Sequence, residues 1–194
     1  MPASTHINQF RLIAQYNTWV NNQIYELVAS LTEEERRRNL GAFFDSIHGT
    51  LNHILLADRT WLGRFATSTC YEFNSLQDAK LILEVESLGK ELYSDFIELR
   101  NERAQTDSVI ESWTSELTDE TLSARMQYHN ASRTIEREHS LWFALTHFFN
   151  HQTHHRAQVT TLLHQLGYDY GMTDFICMYN VSRLGGGTKP NIVL

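Results

Sequence analysis

The chain has 194 residues, 42% of them hydrophobic, with a formal net charge of −7 and a pI near 5.8. That length buries a substantial core as one domain, and the acidic balance argues against a surface built to neutralise phosphates, so no nucleic acid is expected as a partner. Two cysteines, Cys70 and Cys177, cannot build a disulfide framework, and neither a signal-peptide pattern nor an apolar run of about 18 residues occurs, which predicts a soluble, cytoplasmic chain with no membrane partner.

The only prolines, Pro2 and Pro190, stand near the termini, so nothing interrupts long helices. A first helix is predicted from about Ile7 to Leu31, with Phe10, Ile13, Val20, Ile24, Leu27 and Leu31 in alternating three and four spacing. Asn17 sits on that seam between Tyr16 and Trp19; it fits a register-fixing core amide, and the three together are candidates to line a pocket. Thr32-Glu33-Glu34-Glu35 is a capping-box pattern for a short helical turn. The second long helix is expected from Phe43 to about Thr67, with Asp45 or Ser46 as N-cap. It is apolar on most of its circumference, so periodicity does not decide whether His48 or His53 faces inward. Asp58, within the apolar arc next to Arg59, reads as one half of a structural ion pair.

A third helix is predicted to begin near Ser75-Leu76-Gln77-Asp78, to run through Leu81, Val85, Leu88, Leu92, Phe96 and Leu99 to the Arg103 region, and to continue helically over Val109 to Leu117. Residues Leu122 to Ile135 lose the helical period. Met126-Gln127-Tyr128 and Arg133-Thr134-Ile135, around a turn at His129 to Ser132, read as a short β-hairpin. A long helix from Glu138 to Leu166 follows, with Gly167 as its stop. Thr173 is a plausible N-cap for a short helix through Tyr179 to Leu184, and Gly185-Gly186-Gly187 opens a flexible tail. The domain therefore spans 1–184 and the tail 185–194. Long amphipathic helices of this number specify an all-α four-helix bundle, either up-and-down or ferritin-like.

The last long helix carries His147, His151, His154 and His155. At about 100° per residue, His155 falls near the middle of the apolar stripe with His151 beside it, while His147 and His154 fall at the polar edge. With 10 histidines in 194 residues, chance alone yields roughly half an i,i+4 pair, so spacing is weak evidence and position is the stronger. Two imidazoles stacked one turn apart on a buried face need something shared to satisfy their nitrogens. A divalent metal does this; a hydrogen-bonded core pair and a pH-sensitive patch are the alternatives. No Glu stands three residues before His151 or His155, so the ferritin-like carboxylate signature is missing and a His-rich mononuclear site fits better.

Three strings together resemble a known family: Tyr16-Asn17-Thr18-Trp19, the run from Thr50 through His53 and Asp58 to Trp61, and Asn150-His151-Gln152-Thr153-His154-His155-Arg156-Ala157-Gln158. They are similar to the DinB-like (damage-inducible) family of metal-binding four-helix bundles, and Thr173-Asp174-Phe175 looks like a further mark of it. Ala157 departs from the pattern, since the family commonly has Gly after the Arg. The resemblance implies that His53, His151 and His155 bind one divalent metal ion (Zn, Ni or Fe), favouring His53 over His48. It also implies a metal-dependent enzyme acting on a small-molecule substrate with a low-molecular-weight thiol, as a thiol transferase or isomerase, or else a metal-dependent hydrolase. A non-enzymatic metal-binding stress-response or ligand-binding module is the alternative. Bundles of this type often pair, so a homodimer is expected.

Overall fold

The structure, a computed structural model, describes residues 5–78, 89–129 and 135–178. Helix α1 spans Thr5–Ala29 and buries Phe10, Ala14, Asn17, Val20, Asn21, Ile24 and Val28 at three and four spacing. The short α2, Glu33–Arg37, is opened by the expected capping box: Thr32 Oγ1 accepts from Glu35 N at 3.2 Å, and the Glu35 carboxylate accepts from Thr32 N at 2.8 Å. Helix α3, Ile47–Thr67, takes Ser46 as its N-cap, whose hydroxyl accepts from Gly49 N at 3.0 Å. Helix α4, Phe96–Glu116, is capped by Asp95, and α5, Asp119–Ser123, by Thr118. Strands β1, Arg125–His129, and β2, Glu136–Ser140, form an antiparallel hairpin that leads into α6, Leu141–Gln165. Gly167, at φ +87, ends α6, with its N–H on the His164 carbonyl at 2.9 Å and the Tyr168 N–H on the Leu163 carbonyl at 3.0 Å.

The four long helices form the bundle. Arg11 reaches Ser115 and Arg100 pairs with Glu26, so α1 and α4 are antiparallel; His53 lies by His155 and Trp61 by His147, so α3 and α6 are too. Phe10 meets Phe149 and Arg156 meets Asn17, whereas Asp58 meets Arg103 and Phe65 meets Trp113, so α1 runs with α6 and α3 with α4. In chain order the senses are up, down, down, up, with α1 diagonal to α3. This is not the simple up-and-down order. The core falls into two apolar halves, one around Phe10, Phe65, Trp113 and Phe148 and the other around Ile24, Leu51, Leu99 and Val159. Between them lies a buried polar layer of Asn17, Asn21, Asp58, Arg103, Asp107, Gln152 and Arg156.

Several boundaries differ from expectation. The expected third helix does not run unbroken into the Arg103 region: the helix there begins at Phe96. A 3₁₀ turn occupies Asn74–Leu76, residues 79–88 of the expected helix lie outside the described residues, and residues 89–95 are turn and bend. The reason is tertiary. Asn52 Oδ1 on α3 accepts from the backbone N–H groups of Leu92 and Tyr93, both at 2.9 Å, and Asn52 Nδ2 donates to the Tyr93 carbonyl at 3.1 Å. Backbone groups satisfied in this way need no helix. The hairpin is present, but its second strand is Glu136–Ser140, later than expected and taken from the predicted start of the last helix; residues 133 and 134 lie outside the described residues. Near the C-terminus a 3₁₀ turn at Phe175–Met178 stands where the short helix is predicted to begin, and residues 179–194, including the expected tail, lie outside the described residues.

Candidate metal centre

Antiparallel packing of α3 on α6 brings His53 against the i,i+4 pair His151 and His155. One ring nitrogen from each lies within 4.8 Å of the others. The ring centroids are 5.2 Å apart for His53 and His151, 4.5 Å for His53 and His155, and 4.4 Å for His151 and His155. His53 Nε2 and His151 Nε2 stand 3.3 Å apart. Two nitrogens each about 2.05 Å from one ion at the tetrahedral angle are separated by about 3.3 Å, so the pair has the spacing of two ligands of one metal. His155 Nδ1 lies 2.9 Å from Gln158 Oε1. A proton on Nδ1 donated to that amide leaves Nε2 as the lone-pair nitrogen, the outer-shell orientation that a ligating histidine requires. His151 Nδ1, the ring nitrogen other than the one facing His53, is buried with no partner among the described residues.

Burial, reinforced by His155 and His53, pushes the His151 imidazole down to about 3. His155 is also lowered, again chiefly by burial. Both rings are thus held neutral at pH 7, the state in which imidazole binds metal. The loop before α3 closes one side. The Phe44 ring stacks on His53 at 3.8 Å with an interplanar angle of 17° and meets His155 edge-on at 5.6 Å. That approach depends on Gly49, where a Cβ would stand 2.2 Å from the Phe44 carbonyl oxygen.

The remaining histidines are placed elsewhere. His48 is buried but points to the Tyr93 carbonyl, 3.0 Å from its Nε2, and to Arg37 and Glu91. His147 packs on Trp61, and His154 lies beside Gln158. Among the described residues neither completes the cluster as a fourth ligand. Tyr16, Asn17 and Trp19 do not line the cavity at the cluster. The Tyr16 hydroxyl donates to the Thr173 carbonyl at 2.6 Å and its ring packs on Phe175, with Trp19 alongside at 6.0 Å. Asn17 belongs to the polar layer: its Nδ2 donates to Asp107 Oδ1 at 2.8 Å, and its Oδ1 accepts from Arg156. Asp58 is in an ion pair as expected, but with Arg103 across the bundle; Arg59 pairs with Glu102 instead.

His53 and His151 form one wall of a cavity of about 470 Å³, without Phe44 in its lining, that runs between α3 and α6 to the hairpin, with Trp61, Arg64, Tyr128 and Arg137 among its lining residues. Gln158, Phe44 and these hairpin residues were not singled out by sequence reasoning. Only Gln158, three residues after His155 on the same helix, carried a readable signal.

Fold and site together define the class of protein: an up-down-down-up helical bundle with a candidate metal site where three histidines converge from two facing helices. The chain belongs to the DinB family, whose model matches residues 1–182. It is similar to Protein DinB of Bacillus subtilis (strain 168), at 28% identity over 168 residues, covering 83% of this chain and 88% of that protein. Among the described residues no helix is long and apolar enough to cross a membrane.

Proposed function

We propose that this protein is a metal-dependent enzyme that activates a small nucleophile, a low-molecular-weight thiol or water, against a small-molecule substrate. The observation that carries this reading is the three-histidine cluster with no fourth protein ligand among the described residues, opening on a substrate-sized cavity. A divalent ion held by three imidazoles supplies Lewis acidity at an open position, the arrangement of a catalytic rather than a structural site. Zn, Ni and Fe all suit imidazole ligands. The chain's own contribution is positioning. His53, His151 and His155 would hold the ion, Gln158 fixes the His155 tautomer, and Phe44 covers the imidazoles on one side so that reactants enter from the cavity.

Metal analysis of the purified protein is expected to find about one divalent ion per chain, lost on His53→Ala, His151→Ala or His155→Ala. The same change at His6, His129 or His164 should leave it in place, and equal loss there would refute the ligand set. Adding a small thiol to the Co(II) form should shift its absorption spectrum while the metal stays bound. A spectrum indifferent to thiols and to other small ligands would leave a non-enzymatic metal-binding module as the better account.

A further inference from the structure

The cavity beside the cluster has a composition at odds with the chain around it. The protein carries 23 acidic and 16 basic residues. Yet of the twelve residues lining this cavity none is acidic, while two are arginines. The hairpin produces this by alternation. Tyr128 is paired with Arg137 and Met126 with His139, so Arg137 and His139 share the face of the buried Met126 and Tyr128, and Glu136 and Glu138 point away. Arg64 enters from α3, half-buried, with its guanidinium over the rings of Trp61 at 4.7 Å and Tyr128 at 5.0 Å. Among the described residues neither Arg64 nor Arg137 is in an ion pair, although Arg59, Arg100, Arg103 and Arg125 all are. Burial above all weighs against the charge on Arg64, opposed by Tyr128 and reinforced by the like charge of Arg137. Arg64 is half-buried and Arg137 exposed at the rim, and two cations at one cavity whose lining holds no carboxylate favour an anion that enters it.

We infer that this cavity is a subsite for a small organic anion, in which Arg64 and Arg137 bind a carboxylate or phosphate group and Trp61, Tyr128 and Phe143 receive an apolar body. The inference deepens the enzyme reading above and rests on it for the role of the bound molecule as substrate. Along α3, His53 and Arg64 are separated by a rise of about 16 Å, which the backward lean of the Arg64 side chain shortens. An anion held by Arg64 would therefore leave the other end of a ligand on the order of 10 Å long at the histidine cluster. Arg64 and Arg137 are positioning and specificity residues in this scheme, at a distance from the reacting end.

The test is ligand-observed NMR titration of the protein with 4-phenylbutyrate and with its neutral amide, 4-phenylbutyramide, on metal-free and on zinc-loaded protein. The carboxylate is expected to bind the metal-free protein about tenfold more tightly than the amide, the range of a charge-assisted hydrogen-bonded pair. Arg64→Gln should remove most of that difference. Arg125→Gln, in an exposed pair with Glu138 outside the cavity, should keep it. Arg137→Gln should weaken carboxylate binding less than Arg64→Gln, and this variant, on the exposed hairpin, serves if Arg64→Gln fails to fold. Equal binding of acid and amide, or carboxylate binding untouched by both arginine changes, overturns the subsite. Zinc stoichiometry from the same samples reads the metal centre separately, so a protein that takes up no zinc but discriminates acid from amide would fail the enzyme reading and keep the anion site.

Discussion

His151 is the residue on which chemistry and stability meet. In the unfolded chain its imidazole titrates near 6.5, whereas in the bundle burial and the neighbouring rings push it down to about 3. A depressed folded value means that its stabilising contribution is complete above the unfolded value and is lost as pH falls below about 6.5, because the unfolded state takes up a proton that the native state refuses. At pH 5 the loss amounts to about 2 kcal/mol for this one group. Asp58 works the other way, since burial pushes its carboxyl up to about 6 against the pull of Arg103, and that contribution is lost as pH rises through 6. Comparing two proteins that both contain Asp58 isolates the histidine. Metal-free wild type should lose more stability between pH 7.5 and pH 5 than metal-free His151→Gln, by about 2 kcal/mol in urea unfolding. Parallel pH profiles would mean that His151 accepts its proton as readily in the fold as out of it.

The element that shapes the histidine cluster from outside is the loop leading into α3. Its close approach is set by Ser46, which caps the helix, and by Gly49, whose missing Cβ lets the Phe44 carbonyl lie against the first turn. Gly49→Ala places a carbon 2.2 Å from that oxygen, so backbone must move and Phe44 must leave His53. Overpacking of this kind costs roughly 1–3 kcal/mol. The variant should melt at lower temperature than wild type and show a smaller rise in melting temperature on adding zinc. Gly41 is the control: it has φ +76 and nothing within 4 Å of a built Cβ, so Gly41→Ala carries backbone strain without touching Phe44 and should keep the zinc-dependent rise. A Gly49→Ala protein with wild-type melting and zinc response would show that the loop does not shape the site.

Across the whole molecule, the polar layer between the two apolar halves ties the four long helices into one arrangement, Arg156 of α6 joining it through Asn17 of α1. Arg103 on α4 pairs with Asp58 on α3 and, at 2.8 Å, with Asp107 one turn along; Asp107 in turn accepts from Asn17 and from Asn21 on α1, at 2.8 and 3.0 Å. All three ionised side chains are at most 2% exposed. Removing the cation strands two buried carboxylates, so Arg103→Met should cost about 3–5 kcal/mol. Arg100→Met, on the same helix but in a solvent-exposed pair with Glu26, should change stability by less than about 1 kcal/mol. Urea midpoints for the two variants decide the matter, and the Arg103→Met defect should shrink as pH falls and the stranded carboxylates protonate. Equal midpoints would mean that the layer is indifferent to its charge.

Local sequence was sufficient for α1, for the body and C-terminal end of α6 and for the capping of α2, because amphipathic period, capping box and terminal glycine are properties of neighbouring residues. It also placed His151 and His155 together, since i and i+4 on one helix meet whatever the rest of the chain does. His53 was different. With 16 of the 21 residues of α3 buried, no face stood out, and only the likeness to a family singled out His53 from His48. The late start of α4 and the position of β2 were not legible either, because each is decided by a distant partner: Asn52 for the backbone of Leu92 and Tyr93, and β1 for a second strand with no apolar alternation of its own. The two arginines of the cavity belong with these. Arg64 and Arg137 stand far apart in the chain, and it is the packing of α3 against α6 and the pleat of the hairpin that turn both toward one space and turn the glutamates out of it.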